Sequence, residues 1–411
     1  MKKTLIAAAL LAGFAGAASA QSSVTLYGVV DMGIEFQNVK SGNNFRFTDG
    51  ITTKSSMSKF GMVSGVQNGS RWGLKGVEDL GGGLKANFVY ESSVNANDGT
   101  GANNFTRQST VGLSSSTWGA IDLGRRTAPS TYAFSGIDPF GSAFGTAALT
   151  KSFGTNFIRY SNMVMYTTPN FSGFTAAVGY SFDTALGNGR VLQSTTNNPV
   201  NPVVPYAYET NNKTRAISIG LRYANGPLLV AGTWDRINAA GSAYVGVPPN
   251  AAGLNSDKID VWALGATYDF KIAKIHAAYG QQIGGVVNNQ ALIGGTALVP
   301  ELTSNPAGST VSGGGLLFAA GARTNSWMVG LTAPIGDNVK VFGSVQQLIP
   351  GGTFNTWTVS RMSDQTIASI GATYDLSKRT NLYAYYSYVN NVAMLNGVKA
   401  NTVAVGIRHR F

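Results

Sequence analysis

The stretch SVTLYGVVDMGIEFQ, residues 23–37, sets Val24, Leu26, Gly28, Val30, Met32, Ile34 and Phe36 on one side. Thr25, Tyr27, Val29, Asp31, Gly33, Glu35 and Gln37 fall on the other. Successive side chains of an extended chain point to opposite faces. A period of two therefore predicts a strand with one apolar and one more polar face. The alternation returns at 84–91, 174–182, 217–223, 326–333, 368–376 and 402–411. The connections between such segments come in two kinds. DLGGG (79–83), PNFSG (169–173), NGP (225–227), PIGDN (334–338) and LSKRTN (376–381) are tight. Segments 38–56, 95–105, 183–212, 237–256, 284–322, 348–361 and 390–399 are long, polar and rich in Gly and Asn. Short turns at one end and long loops at the other suit a closed barrel that crosses a membrane, and not a soluble sandwich. Counting hairpins predicts sixteen antiparallel strands. A barrel of that size leaves an aqueous channel, whereas about eight strands would fill with side chains. Segment 106–126 alternates least clearly.

Composition points the same way. The chain is 44% apolar and 12% charged, where a soluble domain carries about 25% charge. Lys2 and Lys3, the apolar run Thr4 to Ala17 and the small residues Ala18-Ser19-Ala20 read as a secretory signal peptide over 1–20. The expected mature domain is a barrel over 21–411. No later run reaches the ~18 uninterrupted apolar residues of a spanning helix. Cysteine is absent, so no disulfide framework is expected in this exported chain. The net charge is +11, and +9 without Lys2 and Lys3. Its basic residues are dispersed along strands, which argues against nucleic acid as a partner. In a pore the same excess favours anions. Aromatics near strand ends, among them Tyr27, Trp72, Trp262, Tyr268, Trp327, Tyr374, Tyr383, Tyr385, Tyr386 and Tyr388, suit interfacial girdles.

Several motifs, in order along the chain, carry a family resemblance. SVTLYGVVDMGIE (23–35), SRWGLKGVEDLGGGLKANFVYES (70–92), GRR (124–126) followed by DPFG (138–141), NFIRYSNMVMYTTPNFSGFTAAVGYSF (156–182), YDLSKRTNLYAYYSYVNN (374–391) and TVAVGIRHRF (402–411) resemble the trimeric general porins of Gram-negative bacteria, in their beta-proteobacterial branch. The resemblance implies an all-β, transmembrane, antiparallel 16-stranded barrel in the outer membrane. It implies a third loop, here 127–156, folded inward to narrow the pore. Carried over residue by residue, Arg71, Arg107 and Arg159 match the wall's arginine ladder and Asp138 the acidic loop position. Arg125 and Lys75 match it less closely. Phe411 matches the terminal aromatic read by the barrel-assembly machinery. A homotrimer surrounded by outer-membrane lipid and lipopolysaccharide is implied, passing ions and small hydrophilic solutes by passive diffusion.

Elementary energetics supports the ladder. An arginine facing lipid costs roughly 2–4 kcal/mol at the midplane, so Arg71, Arg107 and Arg159 should face the lumen, and Arg71 has the matching parity opposite Trp72 and Leu74. These arginines could equally tether the loop, and Asp138, before Pro139, could be a turn residue. A substrate-selective porin or a non-pore adhesin would share most of these features. With two histidines, His276 and His409, and no cysteine, the sequence suggests no metal site, no cofactor and no catalytic triad. An enzyme is not expected.

Overall fold

Strand follows strand along almost the whole of the computed structural model. It describes residues 23–40, 56–101, 104–154, 158–184, 214–238, 258–287, 316–352 and 362–411, with short pairs at 47–48, 53–54, 292–293 and 296–297. The expected signal segment and its cleavage point lie outside the described residues. The strands are β1 (Ser23–Lys40), β2 in two pieces (Ser56–Ser64 and Arg71–Gly81), β3 (Leu84–Ser93), β4 (Gln108–Ser115), β5 (Gly119–Thr127), β6 (Arg159–Thr167), β7 (Phe174–Ser181) and β8 (Arg215–Asn225). Then come β9 (Leu228–Asn238), β10 (Lys258–Asp269), β11 (Lys274–Val287), β12 (Leu316–Ile335), β13 (Val339–Gly352), β14 (Gln365–Asp375), β15 (Thr380–Asn390) and β16 (Lys399–Arg410). Each pairs with its neighbour in sequence, and β1 pairs antiparallel with β16, closing the sheet. Closure removes every exposed edge, a condition that hydrocarbon imposes on backbone polar groups.

The two pieces of β2 make one barrel strand. Met32–Lys40 of β1 lies in register with Ser64–Ser56, and Ser23–Val29 with Val77–Arg71. The six residues between, GVQNGS (65–70), leave the ladder. The sequence reading did not anticipate this break.

The alternation of 23–37 becomes two chemically distinct faces. Val30, Ile34, Leu264 and Ile370 are 44%, 47%, 58% and 57% exposed on the outer face. On the inner face Asp31, Asp235, Ser218 and Ser387 are wholly buried. A continuous band of large apolar side chains facing outward fits hydrocarbon as its solvent. No helix among the described residues is long and apolar enough to cross a membrane.

Some boundaries differ from expectation. Segment 106–126 forms two well-paired strands, β4 and β5. β11 and β12 extend to Val287 and from Leu316, into the expected loop 284–322, and β13 reaches Gly352. The stretches that carry the ladder on, GGVV (284–287) and LLFAAGA (316–322), are apolar without alternation, so a period of two gives no signal there. The girdle expectation divides by parity. Tyr268, Tyr374 and Tyr386 face outward, at 44%, 46% and 41% exposure. Tyr383 and Tyr385 are buried on the inner face against the Phe144 ring. Tyr27 also turns inward, its hydroxyl donating to Glu91.

Candidate functional site

Two insertions meet on the inner face. The first is 128–154, which follows β5. It opens with a short helix, α1 (Pro129–Phe134), with Pro at its start, where a missing N–H costs nothing. Its apolar side chains pack on wall residues of inward parity. Phe134, Ile137, Leu149 and Phe153 cluster with Leu229, Ala231, Ala263, Ala278 and Met328. Phe140 and Phe144 pack edge-on to Phe342 and Tyr385 respectively. Wall side chains then bind its backbone. His276 Nδ1 lies 2.9 Å from Ile137 O. Ser326 Oγ donates to Ser152 O (2.6 Å), Gln346 Nε2 to Ala147 O (2.9 Å) and Arg222 Nη1 to Ser135 O (2.6 Å).

The second insertion is 65–70, held by Asp31. The buried Asp31 carboxylate accepts the Tyr383 hydroxyl (2.6 Å) and the Asn68 N–H (2.5 Å). Its backbone carbonyl accepts Gly65 N–H and Ser70 Oγ. Phe144 N–H donates to Val66 O at 2.7 Å, so the two insertions are joined.

The charged cluster lies beside this junction. Glu91 is its centre. Arg107 Nε is 2.7 Å from one carboxylate oxygen, and Arg71 Nε is 3.4 Å from the other. Tyr27 donates to the same carboxylate at 3.0 Å. Arg71 Nη1 also donates to Gly69 O (3.0 Å), so the 65–70 insertion orients it. Lys75 lies 5.4 Å over the Tyr27 ring.

Arg159 lies beyond a break in the β5–β6 ladder. The β5–β6 register shifts between Gly124 and Arg126, where Asn162 has a φ of 48°. Beyond the shift Tyr160 is wholly buried, its hydroxyl 3.5 Å from Asp235 on the wall. Arg159, the next residue, takes the opposite side and stands within electrostatic reach of Arg107, Glu91, Arg125 and Arg71. Arg125 donates to Thr106 O (2.5 Å) and Ser161 Oγ (2.7 Å). Arg126 instead pairs with Asp122.

Asp138 stands elsewhere. It is 5% exposed, and its oxygens accept N–H bonds from Phe140 (2.8 Å), Ser142 (2.9 Å) and Leu149 (2.8 Å). Asp138, expected at the pore or in a turn, is thus a buried clasp of its own segment. Burial pushes its carboxyl up to about 6, against the pull of the three N–H donors. The folded form therefore holds its proton at pH values where an unfolded carboxyl has lost it. That adds stability of up to about 3 kcal/mol below pH 4, lost as pH rises through 6. We predict that acidification from pH 7 to 4.5 raises the thermal midpoint of the wild type more than that of D138N. Equal shifts in the two proteins would refute this.

Sequence reasoning missed Glu91 and the 65–70 insertion. Glu91 was visible on the same strand face as Lys85, Asn87 and Val89, yet nothing local marked its partners. Arg222 was likewise legible as inward-facing, though not as a tether. Phe411 continues the β16 ladder, exchanging two backbone bonds of 3.1 Å with Gly28 of β1. Its ring lies over Gly28, where an added Cβ would sit 2.2 Å from it.

The family model described as Gram-negative porin matches residues 7–393. Over the full length of both chains, the protein is 44% identical to an outer membrane porin protein of Bordetella pertussis. It is 30% identical, again over both full lengths, to outer membrane porin protein 32 of Delftia acidovorans. Among solved structures it is similar to an anion-selective porin from Comamonas acidovorans, with a TM-score of 0.65 at 26% identity, covering 95% of this chain and 100% of that one.

Proposed function

The chain belongs to the Gram-negative porin family and resides in the outer membrane, and on that premise we propose that it is a general diffusion channel with a preference for anions. One observation carries the preference: Arg71, Arg107 and Arg159, with Arg125 close by, gather around a single carboxylate, Glu91. In this reading 128–154 is the inward-folded third loop, and it narrows the passage beside that cluster. Solutes cross by diffusion, with no bond made or broken. Fixed positive charge at a narrow, partly desolvated aperture raises the local concentration of anions and lowers that of cations.

A homotrimer, surrounded by lipid and lipopolysaccharide, belongs to the same proposal. Single-channel recording of purified protein in a planar bilayer under a KCl gradient tests it. Large steps, often in threes, with a chloride-preferring reversal potential are the expected result. Steps that prefer potassium would remove the assigned role of the arginines, and folded protein without steps would remove the channel.

We infer for Phe411 a role as the signal read by the barrel-assembly machinery, supported by its backbone pairing with Gly28 of β1 and the contact of its ring with that residue. Deleting Phe411 is expected to lower the yield of assembled, heat-modifiable trimer while secretion continues. A normal yield of trimer would contradict that role.

A further inference from the structure

Six residues of β2, GVQNGS (65–70), stand opposite two of β1. Val29 is in register with Arg71 and Met32 with Ser64, so Val30 and Asp31 face the whole insertion. Six against two leaves four extra residues, and residues in excess must leave the ladder. Here they close into a compact loop whose ends meet. Ser64 Oγ donates to Ser70 Oγ at 2.9 Å, and Gly65 N–H and Ser70 Oγ both donate to the Asp31 carbonyl. Turned outward, its unpaired backbone groups would find no partners in hydrocarbon. It turns inward, where Phe144 N–H donates to Val66 O.

Each residue of the loop meets a different partner on the inner face. Val66 is buried with Phe140, Phe144 and Tyr383, in the apolar cluster that also anchors 128–154. Gln67 Oε1 accepts Asn381 Nδ2 of β15 at 2.9 Å. Asn68 N–H donates to the Asp31 carboxylate. Gly69, the next residue, meets the arginines: its carbonyl accepts Arg71 Nη1 at 3.0 Å.

The two glycines of the loop differ in kind. Gly65 has a φ of 78°, a conformation that favours glycine. Gly69 has no left-handed φ, so its backbone would admit a side chain. A Cβ added there would find, among the described residues beyond its chain neighbours, only the Arg107 guanidinium within 4 Å, with Nη1 at 3.1 Å and Cζ at 3.9 Å. Gly69 thus carries one guanidinium on its carbonyl and a second beside its Cα, with open space around it. Open space inside a sixteen-stranded barrel is the aqueous channel.

We propose that 65–70 is a second wall of the constriction: Gly69 lies on the solute's path and seats Arg71 and Arg107, and Asp31 is the positioning residue that holds the loop in place. This rests on the diffusion reading and adds to it a residue that sets selectivity without meeting an ion, since Asp31 is wholly buried. The sign of its effect separates the two ways it could act. As a bare negative charge, Asp31 weakens the preference for anions, and its removal would strengthen it. As the holder of Asn68 and Gly69 it keeps both guanidinium groups at the aperture, and its removal weakens the preference.

The chain has no cysteine, so G69C gives the assembled protein a single thiol. Its channels are recorded in a planar bilayer while an anionic or a cationic methanethiosulfonate is added, and each rate is divided by that reagent's rate with a free thiol in solution. Either reagent is expected to lower the conductance stepwise. The anionic one should react about fivefold faster after this correction, the effect of one uncompensated charge about 4 Å away. A thiol that stays unmodified, or whose modification leaves the conductance unchanged, overturns the place of Gly69 on the path. D31N tests the positioning role by reversal potential. A guanidinium that drifts from about 4 to about 8 Å from the ion loses half its interaction, so the chloride preference should fall about twofold. Y383F removes one donor and leaves the carboxylate, and should act in the same direction but less. A chloride preference raised or unchanged in D31N overturns the role of Asp31, and Y383F decides by the same criterion where D31N fails to assemble. A wild type without steps would remove the diffusion reading itself, whereas chloride-preferring wild-type steps beside an inert G69C remove only the second wall.

Discussion

Replacing Arg71, Arg107 and Arg159 together by glutamine is expected to remove most of the channel's preference for chloride. The wild-type cluster sums three guanidinium groups against the Glu91 carboxylate, and the triple variant leaves Lys75 and Arg125 as the remaining cations beside it. A unit charge about 4 Å from a passing ion contributes roughly 1 kcal/mol even at the dielectric constant of water. That is about fivefold in relative permeability for each uncompensated charge, so two such charges give an expected wild-type preference of roughly twenty-five-fold. The preference should shrink with salt, because the screening length falls from about 10 Å at 0.1 M to about 3 Å at 1 M. E91Q is the counterpart. It removes the one carboxylate that Arg71, Arg107 and Tyr27 share and should strengthen the preference for chloride. A triple variant that keeps the wild-type reversal potential would show that these arginines brace the structure without setting selectivity.

The second large effect is expected from G220V. Gly220 of β8 lies directly under α1. A Cβ there would meet Pro129 O at 2.3 Å and Ala133 Cβ at 2.7 Å. The first of these neighbours is backbone, so no rotamer change relieves the clash, and α1 must lift from the wall. Overpacking of this kind costs about 1–3 kcal/mol or more. The strand itself accommodates valine, which favours extended conformations. The barrel should therefore assemble normally. The segment beyond α1 keeps its tethers at His276, Ser326 and Gln346, so only its first part should be released. If 128–154 narrows the passage, single-channel steps become larger and noisier. Unchanged steps from a correctly assembled G220V barrel would place the narrowing elsewhere.

The sequence by itself determined the barrel. Period-two alternation, the paired short and long connections and the low charge follow from local rules that bind every spanning strand alike: one face in hydrocarbon, one in water, and no open edge. The inward direction of Arg71 was legible for the same reason, since its parity follows from its neighbours Trp72 and Leu74. Tertiary structure decided what depends on residues far apart in the chain. The 65–70 insertion exists because Asp31 and Tyr383, 352 positions apart, hold it. Glu91 became the centre of the arginines because β2, β3 and the start of β4 converge on it. Arg159 stands within reach of Arg107, Glu91, Arg125 and Arg71 at the foot of 128–154, beyond a break in the ladder that parity along β6 does not record. For Asp138 the motif left a pore acid and a turn residue open, and three N–H groups of its own segment enclose it. Alternation encodes which face a side chain takes; whether that face meets solvent, another charge or a folded-in segment is set by packing between elements that no local pattern records.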